Sequence, residues 1–169
     1  MELIDIVPEF NLYEEYWKIY TKSDVLPPQY IAEHARVDRS IVGEGCEIYG
    51  TVCNSVVSAN VVIEEGAEVY DSIIMQGAII KKGTKLYKSI VAEGVVIGEG
   101  CTVGVGEYAE SKLSTKIYNC DLAVIGENSV IPDGVTIGKN TAIVGKTEES
   151  DYSDGKLESG DYIIKAGEI

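Results

Sequence analysis

Four lysines within eight residues, Lys81, Lys82, Lys85 and Lys88, are the first place where this sequence could do chemistry. They alternate with the apolar or small residues Ile80, Thr84 and Leu86, so their side chains are expected to project outward. Ammonium groups gathered in this way could cradle a phosphorylated ligand or an acidic neighbouring subunit; equally, they could be a solvated corner. Lys81, Lys82 and Lys85 are the candidate effector or phosphate contacts, with Lys146 and Lys165 behind them. Other reactive chemistry is scarce. The one histidine, His34, reads as an exposed linker residue, which leaves acyl transfer without its usual base and a catalytic zinc without its ligands. Arg36 and Arg39 are the only arginines, and neither GxGxxG nor a P-loop motif is present to hold a triphosphate. No catalytic residue, cofactor site or metal site is expected in this chain.

Composition narrows the partners. The 169 residues include 28 acidic and 14 basic side chains, a formal net charge of -14 that repels nucleic acid and anionic lipid. No apolar run approaches the roughly 20 residues that span a bilayer. The start, MELIDIVPEF, has neither the basic region nor the cleavage site of a signal peptide. Cys46, Cys53, Cys101 and Cys120 form no CxxC pair and read as reduced thiols, so a cytoplasmic location is expected.

The elements that must carry these residues are set by a short period. Aliphatic side chains stand at Val57, Ile63, Val69, Ile74, Ile80, Leu86, Val91, Ile97 and Val103, five or six residues apart. The step resumes at Ile125, Ile131, Ile137 and Ile143, and less regular copies precede it at Val42, Ile48 and Val52. Two positions before each regular aliphatic sits a small or β-branched residue, such as Ser55, Ala67, Ser72, Thr84, Ser89 or Cys101. Alternation puts both on one face of a short strand, and the small residue fits near a corner. One position earlier, Asn, Asp or Gly recurs, suited to a left-handed turn; Lys88 and Leu122 break that rule. Three such strands per 17 or 18 residues make one triangular coil. The fold expected over residues 31–145 is therefore all-β: a left-handed parallel β-helix of about five coils, built from hexapeptide repeats and an exception to right-handed crossovers. Its Ser, Thr and Cys residues are expected to pack rather than react.

The flanks read differently. In residues 1–30, Asn11 and Glu14 resemble a capping box, and Tyr13, Tyr16, Trp17 and Tyr20 fall on one helical face before Pro27-Pro28. That face either packs on the prism or docks another domain or subunit, and Tyr13, Trp17 and Tyr20 are the candidate docking residues. Residues 104–122 suspend the repeat and are expected to leave it as a loop, held down by Tyr108 and Tyr118. Residues 146–169 form an acidic tail whose Ile163 and Ile164 are expected to pair along the last coil and cap its edge.

The segment VPEFNLYEEYWKIYTKSDVLPPQYI, followed by hexads containing SIIMQ, resembles the C-terminal part of bacterial glucose-1-phosphate adenylyltransferases, the ADP-glucose pyrophosphorylases. The stretches YAESKLSTKIYN and VIGENSVIPDGVTIGKN are similar to that family's last coils, so the likeness covers essentially the whole chain. It implies a parent enzyme, a tetramer of the glycogen pathway, that uses ATP and Mg²⁺ to make ADP-glucose and pyrophosphate from glucose 1-phosphate. Its catalytic site would lie in an N-terminal nucleotidyltransferase domain that this chain lacks. On that basis residues 1–30 are the end of the missing domain and the linker from it. The β-helix would serve homo- or hetero-oligomer assembly and part of the response to a sugar-phosphate effector. Two alternatives stand beside this: a free-standing scaffolding β-helix, and the same domain from a non-catalytic paralogous subunit.

Overall fold

The computed structural model describes residues 4–5, 9, 14–16 and 25–165. The candidate docking residues Tyr13, Trp17 and Tyr20 lie outside the described residues. From Tyr30 onward the chain winds in coils of three short strands. The first coil is β1 (Tyr30–Ile31), β2 (Arg36–Asp38) and β3 (Ile41–Val42), and the second is β4 (Glu47–Ile48), β5 (Thr51–Cys53) and β6 (Val56–Val57). The third holds β7 (Val62–Ile63), β8 (Glu68–Tyr70) and β9 (Ile73–Ile74), and the fourth β10 (Ile79–Ile80), β11 (Lys85–Tyr87) and β12 (Ser89–Val91). The fifth is β13 (Val96–Ile97), β14 (Thr102–Val103) and β15 (Ala123–Ile125); the sixth is β16 (Val130–Ile131), β17 (Thr136–Ile137) and β18 (Thr141–Val144). A seventh opens with a single bridge from Val130 to Lys146 and continues as β19 (Lys156–Leu157) and β20 (Tyr162–Ile164).

Each strand pairs in parallel with its counterpart one coil away, giving three sheets of six, seven and seven strands. These sheets are the first, second and third faces of a triangular prism, the architecture of the left-handed hexapeptide class. It runs to nearly seven coils where the hexads suggest about five. The difference lies at the ends. The first coil and the tail strands β19 and β20 extend the ladders through backbone pairing, although their residues fall outside the regular step.

The interior is one aliphatic per strand. Ile48, Ile63, Ile80, Ile97 and Ile131 line it from the first face, Val52, Val69, Leu86, Val103 and Ile137 from the second, and Val57, Ile74, Val91, Ile125 and Ile143 from the third. All are at most 1% exposed. Burying such a side chain stabilises by roughly 1.5–3 kcal/mol, and the stack repeats that gain at every coil.

Corners and small residues follow from the same geometry. Asn54, Asp71 and Asn140 turn with φ of 49°, 51° and 55°. Lys88 adopts the same conformation at 43°, while the irregular corner before Ala123 is turned by Asp121 at 60° rather than by Leu122. Inside the third-face corner, Ser40, Ser55, Ser72 and Ser89 form a hydrogen-bonded ladder. The Oγ atoms of Ser40, Ser55 and Ser72 accept the backbone N–H of Ser55, Ser72 and Ser89 at 3.1, 3.1 and 3.0 Å. Ser55, Ser72 and Ser89 in turn donate to the carbonyls of Cys53, Tyr70 and Tyr87 at 2.8, 2.7 and 2.9 Å. The hydroxyl replaces the partner that a backbone bending around a corner would lose.

Between β14 and β15 the chain leaves the prism through residues 104–122. Gly104 opens the excursion at φ 80°, where a Cβ would stand 1.8 Å from the Tyr87 carbonyl oxygen. Fully buried Asn140 ties the loop down. Its Oδ1 accepts the Asp121 N–H and its Nδ2 donates to the Ala109 carbonyl, both at 2.8 Å. Of the two tyrosines expected to hold the loop down, Tyr118 is half-buried, whereas Tyr108 is 57% exposed.

Candidate functional site

The candidate lysines are distributed rather than convergent. Lys81 and Lys82 stand at the corner between β10 and β11, Lys85 faces outward from β11, and Lys88 occupies the next corner. Two of them are engaged by the coil below. Lys82 Nζ lies 3.2 Å from Glu65 Oε2, and Lys85 Nζ lies 3.0 Å from Glu68 Oε1, its own register partner. The hydrogen bond and charge of Glu68 hold the Lys85 ammonium above its ordinary pKa. Lys146 begins the seventh coil, three coils or about 14 Å further along the axis. Lys165 follows β20 and pairs with Asp151 at 2.5 Å. One coil edge therefore carries Lys81, Lys82 and Lys85, and the other two lysines belong elsewhere.

His34 is exposed between β1 and β2. All four cysteines are free; burial pushes the thiols of Cys46 and Cys101 up, away from the thiolate a nucleophile requires. Among the described residues no three of His, Cys, Asp or Glu are grouped to hold a metal ion. Among them, too, no helix is long and apolar enough to cross a membrane.

The surface that the sequence reading missed is the outside of the third face. In register, its outward residues are Ile41, Val56, Ile73, Ile90, Val124, Ala142 and Tyr162, an uncharged column along the prism in which Ala142 is itself covered, at 3% exposed. Beside it, where each strand turns off the face, stand Gly43, Ser58, Met75, Ala92 and Gly126, which keep the surface low; Met75 is 37% exposed. The second face is the opposite case. Its outward column reads Arg36, Thr51, Glu68, Lys85, Thr102, Thr136 and Lys156. The first face is intermediate, with Tyr30 and Glu47 preceding Val62, Ile79, Val96 and Val130.

Parallel sheets that are covered on both sides read as continuous apolar runs, whereas a wetted side carries polar residues. The third face fits the first description. Its signal was present in the 17-residue repeats Ser55-Val56-Val57, Ser72-Ile73-Ile74 and Ser89-Ile90-Val91, whose middle residue should be polar if it faced only water. On a chain of net charge -14, an uncharged column this long sets the third face apart from the charged second face.

Comparison with known proteins agrees with the hexapeptide β-helix fold. A family model described as GlmU-like, C-terminal hexapeptide matches residues 26–119. A glucose-1-phosphate adenylyltransferase of Lachnospira eligens is 64% identical over 168 residues, which is 99% of this chain and 40% of that protein. Similarly named proteins of Thermotoga maritima and Acetivibrio thermocellus are 56% and 42% identical, over 97% and 99% of this chain and 39% of each relative. The chain thus spans about two fifths of the length of the curated relatives it matches.

Proposed function

The chain belongs to the GlmU-like C-terminal hexapeptide family, and from that premise we propose that it is the assembly and regulatory β-helix of a glucose-1-phosphate adenylyltransferase. The parent reaction would join ATP and glucose 1-phosphate to give ADP-glucose and pyrophosphate. The identity to the Lachnospira protein supports this reading, and roughly 250 residues of that relative lie outside the match, the size of a further domain. ATP and Mg²⁺ belong to that further domain in this account. The four free cysteines suit a cytoplasmic protein.

The observation that carries the assembly role is the uncharged third-face column. We take its occupant to be a second copy of this chain. Two bodies of charge -14 approach with least repulsion where neither presents charge, and the third face is that surface. A two-fold axis through the face would set the column against itself, with Ile73 and Ile90 near the centre. The regulatory role falls to Lys81, Lys82 and Lys85, where an anionic effector would compete with Glu65 and Glu68 for the two paired ammonium groups.

A chimera tests the assignment. This chain would replace the matching 168 residues of the Lachnospira relative. The chimera is expected to release pyrophosphate from ATP and glucose 1-phosphate and to assemble as the parental enzyme does. A folded chimera that neither turns over nor assembles would defeat the reading.

A further inference from the structure

An open cavity of about 450 Å³ lies on the second face, where the excursion loop passes the sixth and seventh coils. Its floor includes Thr136 and Lys156, register partners on β17 and β19, and its walls include Glu107 and Tyr108 from the loop and Glu158 and Ser159 from the seventh coil. The assembly role makes no use of it. The Tyr108 ring is exposed there, on a loop that other residues anchor. Lys156 forms no ion pair among the described residues. The Ser159 hydroxyl accepts the Lys139 N–H at 3.1 Å and retains its own proton to donate.

The mixture of groups selects the ligand. An anion would bring its charge beside Glu107 and Glu158, and a cation would meet Lys156. A wholly apolar molecule could rest on Val105, Ala109 and the Tyr108 ring but would leave Glu107, Glu158, Lys156 and Ser159 without partners. A neutral molecule bearing many hydroxyls satisfies every group at once. It donates to the two carboxylates, accepts from Lys156 and Thr136, and lays a C–H face on the Tyr108 ring. We propose that this cavity is a binding site for a neutral saccharide. The proposal is independent of the assembly role and stands or falls without it.

Saturation-transfer NMR of maltotriose with the 169-residue chain tests the idea, with glucose 1-phosphate as the charged comparison. Transfer to the maltotriose C–H protons is expected, weakened about tenfold by Tyr108→Ala and several-fold by Lys156→Ala, with circular dichroism unchanged in both variants. Any transfer to glucose 1-phosphate, which the edge of Lys81, Lys82 and Lys85 can also hold, is expected to be unchanged by Tyr108→Ala. The proposal is overturned by an absence of transfer at about 10 mM maltotriose, by transfer that survives both substitutions, or by glucose 1-phosphate transfer that Tyr108→Ala weakens as strongly as that of maltotriose.

Discussion

At the scale of single residues, the ladder of small side chains is a structural device with a measurable strength. Ser72 is fully buried, and its Oγ both accepts the Ser89 N–H and donates to the Tyr70 carbonyl. Ser72→Ala leaves the buried Ser89 N–H without this partner, while the Tyr70 carbonyl keeps the Lys88 N–H at 3.2 Å, and is expected to destabilise by about 1–3 kcal/mol in urea unfolding. Ile80→Ala removes a core side chain with no exposed surface and is expected to cost about 2–5 kcal/mol. Acid acts at another residue. Asp151 is held below its ordinary value of 3.8, first by the Glu148 N–H at 2.7 Å and then by the Lys165 ammonium. A carboxyl depressed on folding stabilises fully above its unfolded pKa, and that contribution fades as pH falls through the folded value. Stability measured below pH 4 should therefore decline less steeply in Asp151→Asn than in the unaltered chain, and parallel profiles would refute this role.

At the scale of elements, the hexads were readable because one physical demand repeats. Every strand must put one large aliphatic inside, one small residue by a corner and a turn former before it, so positions such as Ser72 and Ile74 identify themselves. The end coils were harder to read. Tyr30, Arg36, Lys156 and Tyr162 are held by backbone pairing to a neighbouring strand, and pairing leaves little mark on side-chain type. The lysine cluster was visible as a charge pattern, but its partners Glu65 and Glu68 lie one coil away, a relation that requires the register. The third-face column is legible in the outward member of each Val-Val or Ile-Ile pair, but the hexad period marks only the inward one, because packing constrains the interior at every coil. Loop anchoring depends on single contacts and was not legible. Gly104 is its sharpest test. Gly104→Ala would combine a left-handed backbone with a collision against the Tyr87 carbonyl, and more than about 2 kcal/mol of destabilisation is expected, with faster proteolysis within residues 104–122.

At the scale of the whole molecule, the prism is a rigid body with unlike sides. Its second face is charged and carries the cavity, while its third face is apolar and uncharged. A β-helix stabilised coil by coil holds such surfaces in fixed relation. The purified chain is accordingly expected to release no pyrophosphate from ATP, glucose 1-phosphate and Mg²⁺, and turnover above background would require a catalytic site within these residues. The assembly role is tested most directly by sedimentation equilibrium of the chain and of its Ile73→Asp, Ile90→Asp variant. Both substituted positions face outward, so the variant should remain folded by circular dichroism. The account predicts a concentration-dependent dimer for the unaltered chain and a monomer for the variant. A chain that stays monomeric throughout, or a variant that still dimerises, would contradict it.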